Sequence, residues 1–441
     1  MTPFSTAPKS GFSTAQVQTG YDSSTPQNSA VPPIHQTAAY EFASLADAAD
    51  IFALRQIGNL YSRSSSPTQL ILEQRVAALE GGTSAVAVAS GQAAVAVTLL
   101  ALAGRGGHIV SAHQLYGGTV DLFQDTFADF GIEVTFVDQD DPDAWRSAIR
   151  PTTRAVFAES IANPIAQVLD FETVAQIAHD AGVPVVIDNT VGTPHLVRPG
   201  EHGADFVVHS ATKFLAGHGT SLGGVVVDQG TFDFGADPER WPQFTAPYPR
   251  FGDLVLWERF GIGQAFAALV KTKYVHDLGP SLSPFNAWQI LQGIETLDLR
   301  VSRQSATALA LAEHLAQHPK VAAVHHPGLP GNRWHGLAER YLPRGVPSVF
   351  SFDLAEDDAG GTADVHARVA RVVDALEVFR LVANIGDARS LVSHPASMTH
   401  SHLNATQRAT AGISLTTIRL SAGLEDPADL IADLDRALAR I

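Results

Sequence analysis

The stretch GVPVVIDNTVGTPHLVRPGEHGADFVVHSATK, residues 182–213, holds two short apolar runs, Val183–Ile187 and Asp205–Val208, each closing on a polar cluster. The first run ends in Asp188-Asn189-Thr190 and the second in His209-Ser210-Ala211-Thr212-Lys213. Near-continuous Val and Ile, without polar alternation, marks strands that are covered on both faces.

The pattern repeats outward from this stretch. Ala85–Ala89, His108–Ala112, Glu133–Val137, Ala155–Ala158 and Gly224–Val227 are further runs, and helical periodicity fills intervals such as Thr119–Phe130 and Phe171–Ala181, closed by Gly131 and Gly182. Seven strands alternating with helices predict an α/β fold with a mostly parallel seven-stranded sheet and helices on both faces. Residues 1–67 are rich in Ser, Thr, Pro and Gln, with one helical patch at Leu45–Arg55, and read as an N-terminal arm. Such an arm cannot form its own core and is expected to lie across another subunit or over the main domain. Residues 68–283 read as a large domain, with an irregular insertion at 228–275 that is rich in Pro, Phe and Trp. A helical run from Pro284, a helix over Ser302–Gln317, strands at Val321–His325 and Val349–Leu354, and a closing helix over Pro427–Ile441 predict a smaller α/β C-terminal domain, 284–441.

Composition narrows the function. The 441 residues carry 29 Lys+Arg against 45 Asp+Glu, a net charge of −16, which disfavours nonspecific partners such as nucleic acid or an anionic membrane. An anionic ligand must therefore be held locally. The absence of Cys removes disulfides, thiolate zinc sites, Cys-ligated iron-sulfur clusters and a Cys nucleophile. The 18 His form no HExxH or similar ligand set, so no metal is expected. No apolar stretch is long enough for a membrane span, and the first residues lack the basic-then-apolar pattern of a secretory leader, so a cytoplasmic protein is expected.

In an open parallel sheet, ligands bind outside the carboxyl ends of the strands. The residues that follow the runs are Ser90-Gly91-Gln92-Ala93-Ala94, entering a helix whose first N–H groups suit a phosphate; Tyr116-Gly117-Gly118-Thr119; Glu159-Ser160 with Asn163-Pro164; Asp188; and Ser210 to Lys213. Taken singly, these are a helix cap, a turn, a strand-end carboxylate and a solvated lysine. Together they supply two phosphate cradles, an aromatic platform, a buried carboxylate and an amine, which is the equipment pyridoxal phosphate requires. The carboxylate keeps the pyridine nitrogen protonated, and the lysine carries the aldehyde as a Schiff base. The glycines at Gly217, Gly219, Gly223 and Gly224 lie after that lysine rather than between a first strand and helix, which argues against a dinucleotide fingerprint.

From about Phe12 to the C-terminus the chain resembles the Cys/Met metabolism family of pyridoxal-phosphate enzymes, fold type I. The matching segments include Tyr61-Ser62-Arg63, LEQRVAALEGG (72–82), SGQAA (90–94), YGGT (116–119), ESIANP (159–164), DNTVGTP (188–194), GADFVVHSATKFLAGHG (203–219), SPFNAWQILQGIETL (283–297), HPASMTH (394–400) and IRLSAGLE (418–425). The resemblance implies that Lys213 is the Schiff-base lysine and proton shuttle, Asp188 the partner of the pyridine nitrogen, Tyr116 the residue stacked on the ring, and Asn163 the partner of the ring hydroxyl. Gly91, Gln92, Ser210 and Thr212 would bind the phosphate, with Tyr61 and Arg63 reaching it from a neighbouring subunit. The implied assembly is a homo-oligomer, a dimer of composite sites and further a tetramer. Arg419 would clamp the substrate carboxylate bidentately. Ser66 stands where the family commonly has Asn, and Gln18 where it has an arm His.

Within the family the chain is similar to the O-acetylhomoserine sulfhydrylases. The length of 228–275, the sequence FTAPYPRFGDLVLWERFG, Asn384 where lyases usually carry Ser, and the absence of Cys after Tyr116 carry that similarity. It implies γ-replacement: O-acetyl-L-homoserine plus sulfide giving L-homocysteine and acetate, with Tyr116 and Tyr61 as candidate acids for the leaving group. Asn384 would hydrogen-bond the substrate carboxylate beside Arg419, and 228–275 would shield the reacting centre from water. The alternatives are a methionine or cystathionine γ-lyase, distinguished by ammonia release, an O-succinylhomoserine sulfhydrylase or cystathionine γ-synthase, and a non-catalytic cofactor-binding protein.

Overall fold

Each of the seven apolar runs becomes a strand of one sheet in the computed structural model, which describes residues 11–24, 28–104, 106–355, 362–401 and 404–441. Residues 1–10 of the expected arm, and His402, lie outside the described residues. The strands are β1 (Ser84–Val88), β2 (His108–Ala112), β3 (Glu133–Val137), β4 (Thr153–Glu159), β5 (Val185–Asp188), β6 (Phe206–His209) and β7 (Gly224–Asp228), in the order β1-β7-β6-β5-β4-β2-β3. β1, β2, β6 and β7 are buried at every position, as strands covered on both faces must be. The helices Gly91–Ala103 and Phe171–Asp180 supply part of that cover, the first almost wholly apolar and the second with one apolar face.

The pairing is parallel from β6 through β5, β4 and β2 to β3, and antiparallel on both sides of β7. The reason lies in the connection. A parallel return needs a crossover, usually a helix, whereas the chain between β6 and β7 turns back on itself, with Thr212 N–H donating to Gly223 O and Gly223 N–H to Thr212 Oγ1. This one reversal sets the carboxyl end of β1 beside that of β6, with Val88 opposite Gly224 and His209 opposite Val225.

A second sheet follows, with β8 (Val321–His325), β9 (Val349–Leu354), β10 (Arg380–Leu381), β11 (Leu391–Ser393) and β12 (Thr417–Ser421) in the order β8-β9-β12-β11-β10. The last three are additions to the sequence expectation. Helices Leu297–Leu315 and Pro427–Leu438 pack together beside it.

Two stretches depart from expectation. The irregular reading of 228–275 holds only for its first half. The chain is helical from Ala265 through Leu278, with a wider π-type turn over Val270–Val275. Its aromatic residues anchor it to the face of the large sheet: Phe234 stacks on Phe244 at 3.9 Å and Phe266 meets Phe206 of β6 at 4.3 Å. Each such buried ring contributes about 1.5–3 kcal/mol by leaving water. The arm also holds a second helix, Phe12–Gln18, which docks on its own chain where Gln16 Nε2 donates to Asp298 Oδ1 at 2.5 Å. No helix among the described residues is long and apolar enough to cross a membrane.

Candidate active site

The carboxyl ends of β4, β5 and β6 lie side by side and open into a cleft of about 220 Å³, closed on its far side by the second sheet. Among its lining residues are Gly91, Gln92, Tyr116, Asn163, Asp188, Ser210, Thr212, Lys213, Asn384 and Arg419. A roomier groove of about 800 Å³ opens beside β8, but it gathers none of these groups.

Glycine is required at two edges of the cleft by close approach. A Cβ on Gly91 would sit 2.5 Å from Ser210 Cβ, so only glycine lets the helix start abut the end of β6. Ser90 caps that helix by accepting from Ala93 N–H, and the first N–H groups of the helix, beyond the reach of any intrahelical carbonyl, face the cleft. A Cβ on Gly118 would meet the Tyr116 ring at 2.6 Å, so glycine at this position gives the ring room. The Gln92 side chain ties this turn down, donating to Gly118 O at 2.7 Å and accepting from Thr119 Oγ1 at 3.3 Å. What Gln92 can offer an anion is therefore its backbone N–H. The Thr212 hydroxyl is engaged with Gly223 both as donor and as acceptor.

Burial sets the electrostatics. The Lys213 amine is desolvated and lies near the Arg419 guanidinium, which together lower its pKa to about 8. It donates to Asn384 Oδ1 at 2.6 Å. Asp188 ends β5 and is held by Thr190, whose N–H donates to its Oδ1 at 2.9 Å. Burial raises the Asp188 pKa; hydrogen bonds from Thr190 and the nearby His209 oppose the shift. Neighbouring Glu159 is pushed up to about 8, first by burial and then by Asp188. Neither carboxyl has a Lys or Arg partner among the described residues.

Arg419 lies on the central strand β12, is 3% exposed, and has no carboxylate partner among the described residues. Its Nη1 donates to Asn163 Oδ1 at 3.3 Å and its Nη2 to the Asn384 carbonyl at 3.0 Å, while buried Nε has no partner. Asn384 thus turns its side chain to Lys213 and its carbonyl to Arg419, whereas the sequence expectation gave the side chain to the substrate carboxylate. The chain after Lys213 is fixed by Arg300, which donates to Phe214 O at 2.9 Å and to Gly293 O at 2.6 Å.

Two segments that the sequence connected with the site lie outside the cleft of their own chain. Tyr61 and Arg63 lie outside the cleft in exposed positions, the guanidinium 5.1 Å from the Tyr61 ring centre. No residue of 228–275 lines the cleft, because the aromatic anchors of that segment turn it to the sheet face. Three polar lining residues that carried no role from sequence stand out. Thr190 joins β5 to β6 by accepting from Ser210 N–H, Thr399 reaches in from the MTH segment, and Glu159 stands at the end of β4. Only Glu159 had a legible signal, a carboxylate at a strand end. Ser66, the departure in the arm, caps the helix Pro67–Glu80 by accepting from Gln69 N–H.

A desolvated amine one strand away from a buried carboxylate that lacks any Lys or Arg partner fits a cofactor with both an aldehyde and a ring cation. That combination defines a pyridoxal-phosphate-dependent enzyme of fold type I. Comparison with known proteins carries the conclusion further. The family described as Cys/Met metabolism PLP-dependent enzyme matches residues 13–439, and the chain belongs to it. It is 45% identical to an O-acetyl-L-homoserine sulfhydrylase of Leptospira meyeri, over 93% of this chain and 92% of that protein. It is 42% identical to a homocysteine synthase of Schizosaccharomyces pombe, over 97% of this chain and 98% of that protein. Among solved structures, a putative O-acetylhomoserine (thiol)-lyase of Campylobacter jejuni superposes with a TM-score of 0.93 at 38% identity, covering 98% of this chain and all of that one. That structure carries a pyridoxyl-lysine monophosphate residue.

Proposed function

We propose that the protein replaces the acetate of O-acetyl-L-homoserine with sulfide, yielding L-homocysteine and acetate on the route to methionine. The observation that carries this reading is the charge inventory of the cleft. Its two basic groups, Lys213 and Arg419, are both desolvated, and neither is paired with a carboxylate among the described residues. Relatives with the matching sulfhydrylase and homocysteine synthase names, aligned over nearly the whole chain, support the choice of substrate.

Pyridoxal phosphate, when bound, supplies an aldehyde for the amines and a ring that accepts the electrons released at the substrate carbons. Lys213 would hold the aldehyde at rest. Its amine, which burial and Arg419 bring to a pKa of about 8 in the cofactor-free chain, would serve as the base for the Cα proton. Asn384 Oδ1 accepts a hydrogen bond from that amine and so fixes its direction. Asp188 would face the ring nitrogen, and Asn163 the ring hydroxyl. The N–H groups of Gly91 and Gln92 and the Ser210 hydroxyl would hold the phosphate, joined by Thr212 once its hydroxyl turns from Gly223 O. The free Arg419 edge would take the substrate carboxylate, and Tyr116 would deliver a proton as acetate leaves. A second proton would have to leave Cβ for acetate to depart from Cγ, and sulfide would take the vacated place at Cγ as protons return to Cβ and Cα.

We further infer a homo-oligomer in which Tyr61 and Arg63 of one chain complete the phosphate site of the next. Within one chain, the phosphate end of the cleft has no Lys or Arg beyond Lys213, and Arg63 is exposed with no carboxylate partner among the described residues. The cleft would then lie between a large domain, 68–283, and a C-terminal domain, 284–441, of a cytoplasmic enzyme.

The test is product analysis with O-acetyl-L-homoserine, with and without sulfide. Homocysteine should form at least ~10-fold faster than ammonia, about 1.4 kcal/mol in barrier height. Ammonia and 2-oxobutanoate as the main products with sulfide present would overturn the reading in favour of a γ-lyase.

A further inference from the structure

The two groups that flank the expected cofactor ring belong to different loops. Tyr116 opens the turn after β2, and Asn163 lies beyond the end of β4. Both loops are held by one side chain. Glu159, the last residue of β4 and 5% exposed, accepts from Tyr116 N–H with Oε1 at 2.5 Å and from Asn163 N–H with Oε2 at 3.2 Å. In the parallel register Glu159 also stands directly beside Asp188 of β5. One carboxylate thus spans the three residues that would contact the ring from above, from the hydroxyl side and at the nitrogen.

We propose that Glu159 is a positioning residue of the active site: its two carboxylate oxygens set the Tyr116 and Asn163 loops at a fixed separation, and with it the tilt of the ring between them. The proposal rests on the reading of the cleft as a pyridoxal-phosphate site.

Each oxygen accepts one backbone N–H, and these bonds are strongest when the carboxyl is ionised, since a protonated one keeps its lone pairs but carries no charge. Burial and the adjacent Asp188 work against ionisation, pushing the Glu159 pKa up to about 8, while the two N–H groups favour the anion. Glu159 is buried directly beside another acid, a costly location that the two backbone N–H groups partly offset. Charge-assisted hydrogen bonds of this kind are about twice as strong as neutral ones.

Glu159→Gln tests the idea because the amide keeps the shape but turns an N–H₂ towards one of the two backbone N–H groups. Cofactor-free protein is titrated with pyridoxal phosphate, and both the dissociation constant and the visible circular dichroism per bound cofactor are read. The expected result for Glu159→Gln is a dissociation constant about tenfold to a hundredfold weaker, and an altered dichroism. In a Tyr116→Ala background the same substitution should cost much less, because the loop it holds no longer carries the ring contact. Glu159→Asp, too short to reach both loops, should resemble Glu159→Gln and serves if the latter fails to fold. Unchanged affinity and dichroism, or a loss of equal size with and without Tyr116, would overturn the proposal. If the wild-type protein takes up no cofactor, the reading of the cleft itself fails. If it does and the Glu159 variants match it, only the role of Glu159 fails.

Discussion

In the cleft four polar side chains are held by other groups of the same chain: Lys213 by Asn384, Gln92 by the Gly118-Thr119 turn, Asp188 by Thr190, Glu159 by two backbone N–H groups. In the arm, the Tyr61 and Arg63 side chains meet each other in exposed positions. The cleft is therefore organised before any ligand arrives, whereas the arm residues have geometry without a target. An active site of this kind divides its labour. The groups that move protons are fixed in the low-dielectric interior of one chain, where burial tunes them. In the proposed assembly, the cation that neutralises the phosphate would come from the neighbouring chain.

Removing the amine should have the largest effect. Lys213→Ala is expected to abolish the visible band of lysine-bound cofactor and to lower turnover about a thousandfold or more, read by absorbance and homocysteine assay. Borohydride labelling at any other lysine would defeat the assignment. Arg63→Ala should weaken cofactor binding about tenfold to a hundredfold while leaving the Lys213 environment intact. Co-purified heterodimers of an Arg63→Ala chain and a Lys213→Ala chain should regain activity, since one of their two sites has both groups. No recovery in verified heterodimers would erase the distinction between arm and cleft.

Arg419→Lys should raise KM about tenfold with the cofactor spectrum unchanged, because an ammonium cannot reproduce the bidentate fork. Loss of cofactor instead would move Arg419 to the phosphate end. A smaller effect concerns pH. Only the neutral amine attacks an aldehyde, so cofactor uptake by the cofactor-free protein should quicken as pH rises through about 8, where Lys213 loses its proton. Arg419→Met removes a nearby positive charge and should shift that midpoint upward. A rate still climbing without levelling off at about pH 9.5 would contradict the lowered pKa, since an unperturbed lysine titrates near 10.4. The smallest effect belongs to the arm boundary: Ser66→Ala should cost about 1 kcal/mol in urea unfolding, by loss of a helix cap, with turnover unchanged.

Much of this was legible in advance. The seven sheet strands stood out because strands covered on both faces read as unbroken apolar runs, and the ligand-facing residues followed them directly. The reversed direction of β7 was not legible, since it depends on the closure of the 212–223 turn by Thr212 and Gly223. The helix Phe12–Gln18 escaped notice because what it docks against, Asp298, is 285 residues from Ser13 in the chain. β10 and β11 are too short for a periodic signal. The helical second half of 228–275 was masked by the Pro-rich and aromatic start of the segment.

The order of polar clusters along the chain by itself determined the sheet, the family and the identity of the lysine and the carboxylate, because each follows a strand whose apolar pattern is local. The tertiary structure decided what those groups are worth. Desolvation of Lys213, the free Arg419 edge, the turn of Asn384 towards the amine and the placement of Glu159 beside Asp188 all arise between strands or sheets distant in sequence. A pKa is a property of the surroundings, and those surroundings exist only once the two sheets have packed against each other.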